Sequence, residues 1–585
     1  MSSSVAEAIR LLRSGKLADA EALARALVAE KRDADALHVL GCIRAQAGAR
    51  DEALALLDEA IALKPRDASF FNNRAGVLAQ SGRLEDAVRD LRRAVQLEPT
   101  FAAALAQLGQ VQLRLGAPDE AVVALRKATL LAPRDFNLHF LTGLAEMGRE
   151  RRAEAETAFR AALALVPGDA GARNNLGVAL QRQGRAAEAI EHFQRAIAAD
   201  PSLADARVNW GNALENLGDL EGARAQYREA VALAPASADA WLNKASNAVE
   251  LGFLDEAREG YGRALELRPG STDAQYGLGI LDLRERRFAE GWRGFERRFE
   301  THPPQSARRA PALPAFIRAS GELPRVAVWQ EQGIGDQVLF STLLPELRAD
   351  ARAVVEVDAR LLGAYRRSLE GVEFVAPAQS RDAFASCAAQ LPIGSLPSLY
   401  RTDRASFARQ PARLLAADPK RVEEMRAHLG AGRWIAIAWR SFQKGLRAGL
   451  AARKSIPLEL FARLAVARDA RLVDLQYGDA AEERAAFDAA HPGLLVRIPG
   501  LDAFSDLEGV LAAIEAAGEV VTASNVTAHL AGAAGVRATV VMLGARSPFH
   551  YWDAVEGNRS LWYPSLRVAS DPRWERWEDA LESLA

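Results

Sequence analysis

Two patterns of apolar and polar residues divide the chain near residue 300. In the first, apolar and small residues recur at helical spacing in units of constant length. Prolines fall at Pro65, Pro99, Pro133, Pro167, Pro201, Pro235 and Pro269, each 34 residues after the last. Two alanine series keep the same step, one from Ala53 to Ala257 and one from Ala60 to Ala264. Gly41, Gly109, Gly143, Gly177 and Gly211 share the phase, with Ala75 and Ala245 at the two other places. A unit such as "ADARVNWGNALENLGDLEGARAQYREAVALAPAS" reads as two antiparallel helices. Small residues let them approach, and the proline closes the second helix before the next unit. Seven full units cover about residues 34–271, with degenerate units at 1–33 and 272–300, as capping units are. The pattern predicts an α-solenoid over residues 1–300.

After Phe299 the period disappears. The stretch "ETHPPQSARRAPALPAF" carries four prolines and no helical spacing, which predicts an irregular linker over 301–324. From Arg325 onward, "RVAVWQ", "AVVEVD", "VEFVAP", "RWIAIAWR", "RLVDLQYG", "EVVTAS" and "ATVVML" alternate with helical segments. That alternation predicts parallel sheets with helices on both faces, and the nearly continuous apolar runs fit strands buried on both sides. A charged break at 417–433 predicts two lobes, 325–425 and 426–585. Ligands of such sheets bind at the carboxyl ends of the strands, here the crevice between the lobes.

Composition narrows the function classes. Of 585 residues, 49% are hydrophobic and 26% charged, so a folded chain is expected. The net charge of −2 gives no electrostatic reason to expect nucleic acid or an anionic membrane. Cys42 and Cys387 stand alone, which excludes a disulfide framework and a Cys-based zinc site and suits a reducing cytoplasm. No run of 18 apolar residues occurs, so no transmembrane helix is expected, and the N-terminal stretch lacks the apolar core of a signal peptide.

The 34-residue unit closely resembles the tetratricopeptide repeat family, which implies a superhelix whose concave face binds an extended protein segment. The sixth position of the unit, on its first helix, holds Asn73, Asn175, Asn209 and Asn243, interrupted by Val39, Gln107 and Leu141. A ladder of amides offers donors and acceptors to a peptide backbone. This resembles the asparagine ladder in the repeats of protein O-GlcNAc transferases, although asparagine is also simply common at this position.

The stretch "VWQEQGIGDQVLF", 328–340, reads as a strand, a glycine-rich turn with an acid, and a helix start. Gly333 and Gly335 permit a tight turn and close approach of a ligand to backbone. With Pro345 downstream, the stretch resembles the opening of the glycosyltransferase family that contains ADP-heptose:lipopolysaccharide heptosyltransferases. The resemblance implies a GT-B fold of two Rossmann-like lobes and a catalytic base at Asp336. A carboxylate there can take the proton of an acceptor hydroxyl as it attacks the anomeric carbon. The alternatives are that Asp336 only caps its helix, or that Glu331 is the base.

The second lobe carries "VTASNVTAHLAGAAGVRATVVML", 521–543, which resembles the nucleotide-diphosphate turn of the same family. The resemblance implies anion-binding backbone N–H groups near Asn525, Val526 and Thr527, with the Thr527 hydroxyl assisting and His529 one turn into the helix. Ser524 stands where the family usually has Asp. Arg440 follows the first strand of this lobe, and Lys454 precedes "SIP" as a lysine does in the family's phosphate loop. Either cation can stabilise a departing phosphate. Lys444, Arg447 and Arg453 also read as solvated loop charges. Gln476 and Tyr477 are candidates for base or ribose contact, and His550 and Trp552 for lining the cleft. No paired acidic motif for Mg²⁺ is present, and the resemblance implies a metal-independent enzyme with no cofactor beyond its nucleotide-sugar donor.

The whole architecture resembles alphaproteobacterial flagellin-modifying glycosyltransferases. That implies recruitment of flagellin by the repeats and transfer of a nonulosonic acid, such as pseudaminic acid from its CMP form, to Ser or Thr. Two rivals are a transferase acting on a saccharide acceptor and a scaffold whose transferase lobes have decayed.

Overall fold

The computed structural model describes residues 3–302, 304, 311–318, 321–441, 455–543, 550–571 and 576–584. The chain forms two compact units, Met1–Leu214 and Glu215–Ala585.

Eighteen helices run from Ser3 to Phe295 in antiparallel pairs. The repeat period sets their details. Asp33, Asp67, Asp135, Asp169, Ser237 and Ser271 each accept a backbone N–H at the start of the first helix of a unit, satisfying donors the helix itself cannot pair. The turn inside each unit needs one left-handed residue. Gly48, Gly82, Gly116, Gly184, Gly218 and Gly252 supply it, and Glu150 and Arg286 take the same conformation without glycine's freedom. At the turn between units, His139, Arg173, Trp241 and Gln275 each donate to the carbonyl of the proline six residues earlier. The prolines thus stop one helix and offer an acceptor that the next helix uses.

The last pair, Thr272–Arg284 and Phe288–Phe295, packs backbone on backbone. A Cβ on Gly279 would come 2.6 Å from the Gly294 Cα. The pair's outer face is not capped with polar groups. Phe288, Trp292 and Phe295 are buried in the core of the α/β part.

The α/β part holds two sheets. The first comprises β1 (Arg325–Trp329), β2 (Arg352–Glu356), β3 (Glu373–Val375) and β4 (Ala389–Pro392), parallel and in the order β3-β2-β1-β4. The second comprises β5 (Trp434–Ala438), β6 (Arg471–Asp474), β7 (Leu495–Val496), β8 (Glu519–Thr522), β9 (Arg537–Val541), β10 (Val555–Glu556), β11 (Arg559–Ser560) and β12 (Leu566–Ala569). Its order is β10-β11-β12-β9-β8-β5-β6-β7, parallel from β12 to β7 with an antiparallel hairpin at the β10 edge. Strand order reverses between β1 and β4 and between β5 and β8, the points at which open α/β sheets leave a crevice.

Two features differ from the sequence expectation. The linker is not wholly irregular: Ala315 forms a parallel bridge with Gln390 on β4, and Phe316 is buried. In addition, the compact units do not part at the linker. A single core runs from Leu283 and Trp292 through both sheets to Val568, so a cut near residue 300 would pass through it. No described helix is long and apolar enough to cross a membrane.

Candidate functional site

The turn after β1 leads into the helix Ile334–Ser341, whose apolar face (Val338, Leu339 and Phe340) is buried. Its N-cap is Gly333, which makes no side-chain cap bond, and Asp336 stands in the first helical turn. Asp336 is therefore not the cap residue. Its carboxylate folds back over Gly333, with Oδ2 3.6 Å from the place of a Cβ there. A negative group in the first turn is stabilised by the helix dipole.

The turn after β8 is built in the same way. The helix Val526–Ala533 is capped by Asn525, whose Oδ1 accepts the Thr527 N–H at 3.0 Å. The Asn525 amide donates to the Ala438 and Arg440 carbonyls, tying this turn to the end of β5. Thr527 and His529 are buried. The Thr527 hydroxyl therefore faces the interior, and its N–H is taken by the cap. Ser524 accepts a hydrogen bond from Trp552 Nε1 at 2.9 Å, so the position that departs from the family pattern is filled by a neutral pair.

The two helices meet at their first turns. A side chain on Gly335 would come 2.8 Å from Cδ2 of His529. Gly335 is small because the lobes touch there. Neither Gly333 nor Gly335 is among the glycines of positive φ, so the turn does not depend on glycine's backbone freedom. His529 lies within an aromatic box, its ring 5.2 Å from Tyr551, 4.9 Å from Trp552 and 5.9 Å from Tyr563, with Nδ1 3.2 Å from the Tyr563 hydroxyl. Burial pushes His529 down to about 3, so the ring is neutral at physiological pH.

Asp336 faces this box. Burial raises the phenols of Tyr551 and Tyr563 well above their usual range, and the nearby Asp336 carboxylate adds to the rise. Tyr276, from the last repeat, is pushed up to about 12 chiefly by burial, with Asp336 and Glu331 also raising it. The carboxylate thus sits among three phenols that remain protonated at neutral pH. Sequence reasoning missed all three; the only trace of them was the aromatic content of "HYW" and "LWYP".

Glu331 occupies a different place. Its side chain is wholly buried and bidentate to Arg298, at 2.7 and 2.6 Å, and it accepts the Gly394 N–H at 3.0 Å. A carboxylate held in this way orients a turn and does not present itself to a substrate. His550 also packs: it lies between Trp292 and Phe295, and burial pushes it down to about 3, helped by Arg284.

In the second lobe, Gln476 is buried and braces the loop after β5. Its Oε1 accepts the Arg440 N–H at 2.7 Å, and its amide donates to the Tyr477 carbonyl. The Arg440 guanidinium pairs with Glu483. Tyr477 lines a cleft of about 640 Å³ at the carboxyl end of β6, with Arg484, Arg497 and Asp502. Lys454, with Lys444, Arg447 and Arg453, lies outside the described residues. Among the described residues, no group of three His, Cys, Asp or Glu is arranged to hold a metal ion.

The ladder asparagines are half-buried, and their amides are engaged within the array. Asn175 and Asn243 donate to carbonyls four residues back, Asn209 donates to Asn174, and Asn73 lies 2.6 Å from His38 Nε2.

Comparison with known proteins bears mainly on the repeats. Models of the tetratricopeptide repeat match residues 5–68, 38–99, 78–142, 140–204, 204–247 and 242–299. Protein FlbA of Caulobacter vibrioides is 30% identical over 338 residues, 53% of this chain and 54% of that protein. The chain thus spans about half the length of the curated relative it matches. Among solved structures, MamA from Desulfovibrio magneticus RS-1 is 25% identical, with 29% of this chain and 96% of that one covered and a TM-score of 0.28. PilW, a type IV pilus biogenesis factor, is 22% identical, with 36% and 98% covered and a TM-score of 0.34.

Proposed function

For a chain whose N-terminal part is built of tetratricopeptide repeats, an architecture suited to protein–protein interaction, we propose that the α/β part is a GT-B-type glycosyltransferase acting on an acceptor protein that the repeats recruit. The observation that carries this reading is the meeting of two first helical turns, Gly335 against His529, at the carboxyl ends of two parallel sheets, with the Asp336 carboxylate beside them. In this reading Asp336 takes the proton of a Ser or Thr hydroxyl as its oxygen attacks the anomeric carbon of a nucleotide-activated sugar. The bond to the phosphate breaks as the new one forms, and the nucleotide departs as an anion. The start of the helix Val526–Ala533, with Arg440 and Lys454, holds that anion without a metal. The neutral phenols around Asp336 donate to it and lose that interaction as it is protonated. On the architectural resemblance, the acceptor is flagellin and the sugar a nonulosonic acid.

Asp336→Asn tests the reading. The amide keeps the shape and cannot accept the proton. General-base catalysis contributes roughly 10²–10⁴-fold, so turnover should fall by that factor while nucleotide and acceptor binding change by no more than a few-fold. Wild-type transfer by the folded variant would remove Asp336 from the chemistry. One observation favours a second reading, a non-catalytic scaffold: the neutral Ser524–Trp552 pair fills the position of the family's acid. Absence of transfer by the wild-type protein, with acceptor binding intact, would support it.

A further inference from the structure

We propose that Arg298, at the end of the last repeat, is a positioning residue for the carboxylate site: through Glu331 it fixes the turn that delivers Asp336. The proposal rests on the reading above only in naming Asp336 as the group delivered. Four residues separate the end of β1 at Trp329 from the start of the helix at Ile334. Glu331 is the second of them, and both of its carboxylate oxygens are held by the Arg298 fork. Both side chains are fully shielded from solvent. The Gly394 N–H, just past β4, closes the clamp from the other side. A Cβ on Gly394 would come 2.6 Å from Glu331 Oε1, so glycine at that position keeps room for the carboxylate.

Arg298 is itself immobilised. It donates to Ser395 Oγ at 2.9 Å and to the Phe295 carbonyl at 3.2 Å, and its guanidinium lies over the Phe295 and Phe299 rings at 4.6 and 4.3 Å. Burial works against its charge, but Glu331 and Glu296 outweigh burial and keep it protonated. A buried ion pair seldom adds net stability over a well-packed apolar substitute. What this one supplies is a unique geometry, because a bidentate fork fixes distance and angle together. The same hairpin places Tyr276 within the electrostatic reach of Asp336. The last repeat therefore holds the turn through Glu331 and also contributes to the surroundings of the acid. It forms part of the site and does more than tether it.

Full-length Arg298→Lys and Arg298→Met/Glu331→Met, compared with wild type and Asp336→Asn, test this. Lysine keeps the charge without the fork; the double variant removes the pair without leaving a lone charge. Amide hydrogen exchange should accelerate across residues 330–337 in both, with the solenoid unchanged. Displacement by about 1 Å can cost roughly 10²-fold, so kcat should fall by about that factor with KM and nucleotide affinity nearly constant. The double variant should melt no lower than wild type yet stay slow. Full turnover by the double variant, or unchanged exchange across 330–337 in both variants, overturns the proposal. If wild type transfers no sugar, the glycosyl-transfer reading fails separately. Exchange then decides alone: acceleration keeps Arg298 as the holder of the turn, and no change overturns it.

Discussion

The solenoid and the α/β part solve the same problem of burying apolar surface by opposite means. In the solenoid each helix pair meets its neighbours, so every contact joins residues a few tens of positions apart. In the α/β part, Trp292 bonds to the Arg401 carbonyl and stacks edge-on with Trp562, and Gly335 meets His529. These contacts span hundreds of residues. The difference teaches that a period in sequence can encode a scaffold, whereas a site arises where distant segments converge. The last repeat belongs to both regimes: its phase is that of the array and its packing that of the lobes.

The largest test of this contrast is where the chain tolerates a cut. Residues 1–214 should fold alone, because a repeat needs only its neighbours. A fragment starting at Leu203, which keeps the helix Ala204–Leu217 whole, should also fold. A fragment of residues 301–585 should not. It loses Trp292 and Phe295 and leaves Glu331 buried without Arg298, a loss worth about 3–5 kcal/mol by itself. Cooperative melting of the 301–585 fragment by circular dichroism would show that the last repeat is dispensable.

Acid should distinguish the regions next. His529 and His550 both titrate near 3 in the folded chain because they are buried, against about 6.5 when unfolded. Below 6.5 the unfolded chain binds protons that the folded one refuses, so stability is full above that pH and is lost as pH falls toward 3. From pH 7 to pH 5 the loss is about 2 kcal/mol per histidine. His550→Phe should flatten urea-measured stability by about one proton over that window. An unchanged slope would mean that His550 is charged in the folded state.

A smaller effect separates two glycines of one turn. Gly335→Ala drives a methyl into His529 and should cost about 1–3 kcal/mol, with slower transfer. Gly333→Ala meets nothing closer than 3.6 Å and should stay within about 0.5 kcal/mol. Equal melting temperatures for the two variants would show that the lobes do not close on Gly335. The smallest effect lies in the array. Glu150 holds a left-handed conformation that glycine adopts freely, so Glu150→Gly should stabilise by at most about 1 kcal/mol.

The same contrast explains what the sequence reveals. The prolines at a step of 34, the small residues and the capping acids each act locally, and the repeats could be read from them. The main strands were legible as apolar runs. β4, β7 and the β10–β12 edge were not, because they are two to four residues long and β4 ends in proline. At the site, the motif located Asp336 and His529, but neither the phenols nor the role of Glu331. Nothing local to "EQGIGD" reveals an arginine 33 residues earlier, in a repeat whose phase gives no reason to expect one. Asn525 and Gln476 were read as ligand contacts because amides suit ligands. They suit loop carbonyls equally well, and only the fold distinguishes the two.

The buried Trp292 also bears on synthesis. Residues 1–214 can fold as they leave the ribosome, since their partners have already been made. The hairpin 272–299 emerges with Phe288, Trp292 and Phe295 facing a core that does not yet exist. Trp562, one of the rings that covers it, is translated 270 residues later. At about 5–20 residues per second, that interval lasts roughly 13–54 s. During it the nascent chain carries an apolar patch at the end of an otherwise finished array, which makes this hairpin the segment most in need of a chaperone and the first place to look for aggregation when expression outruns folding.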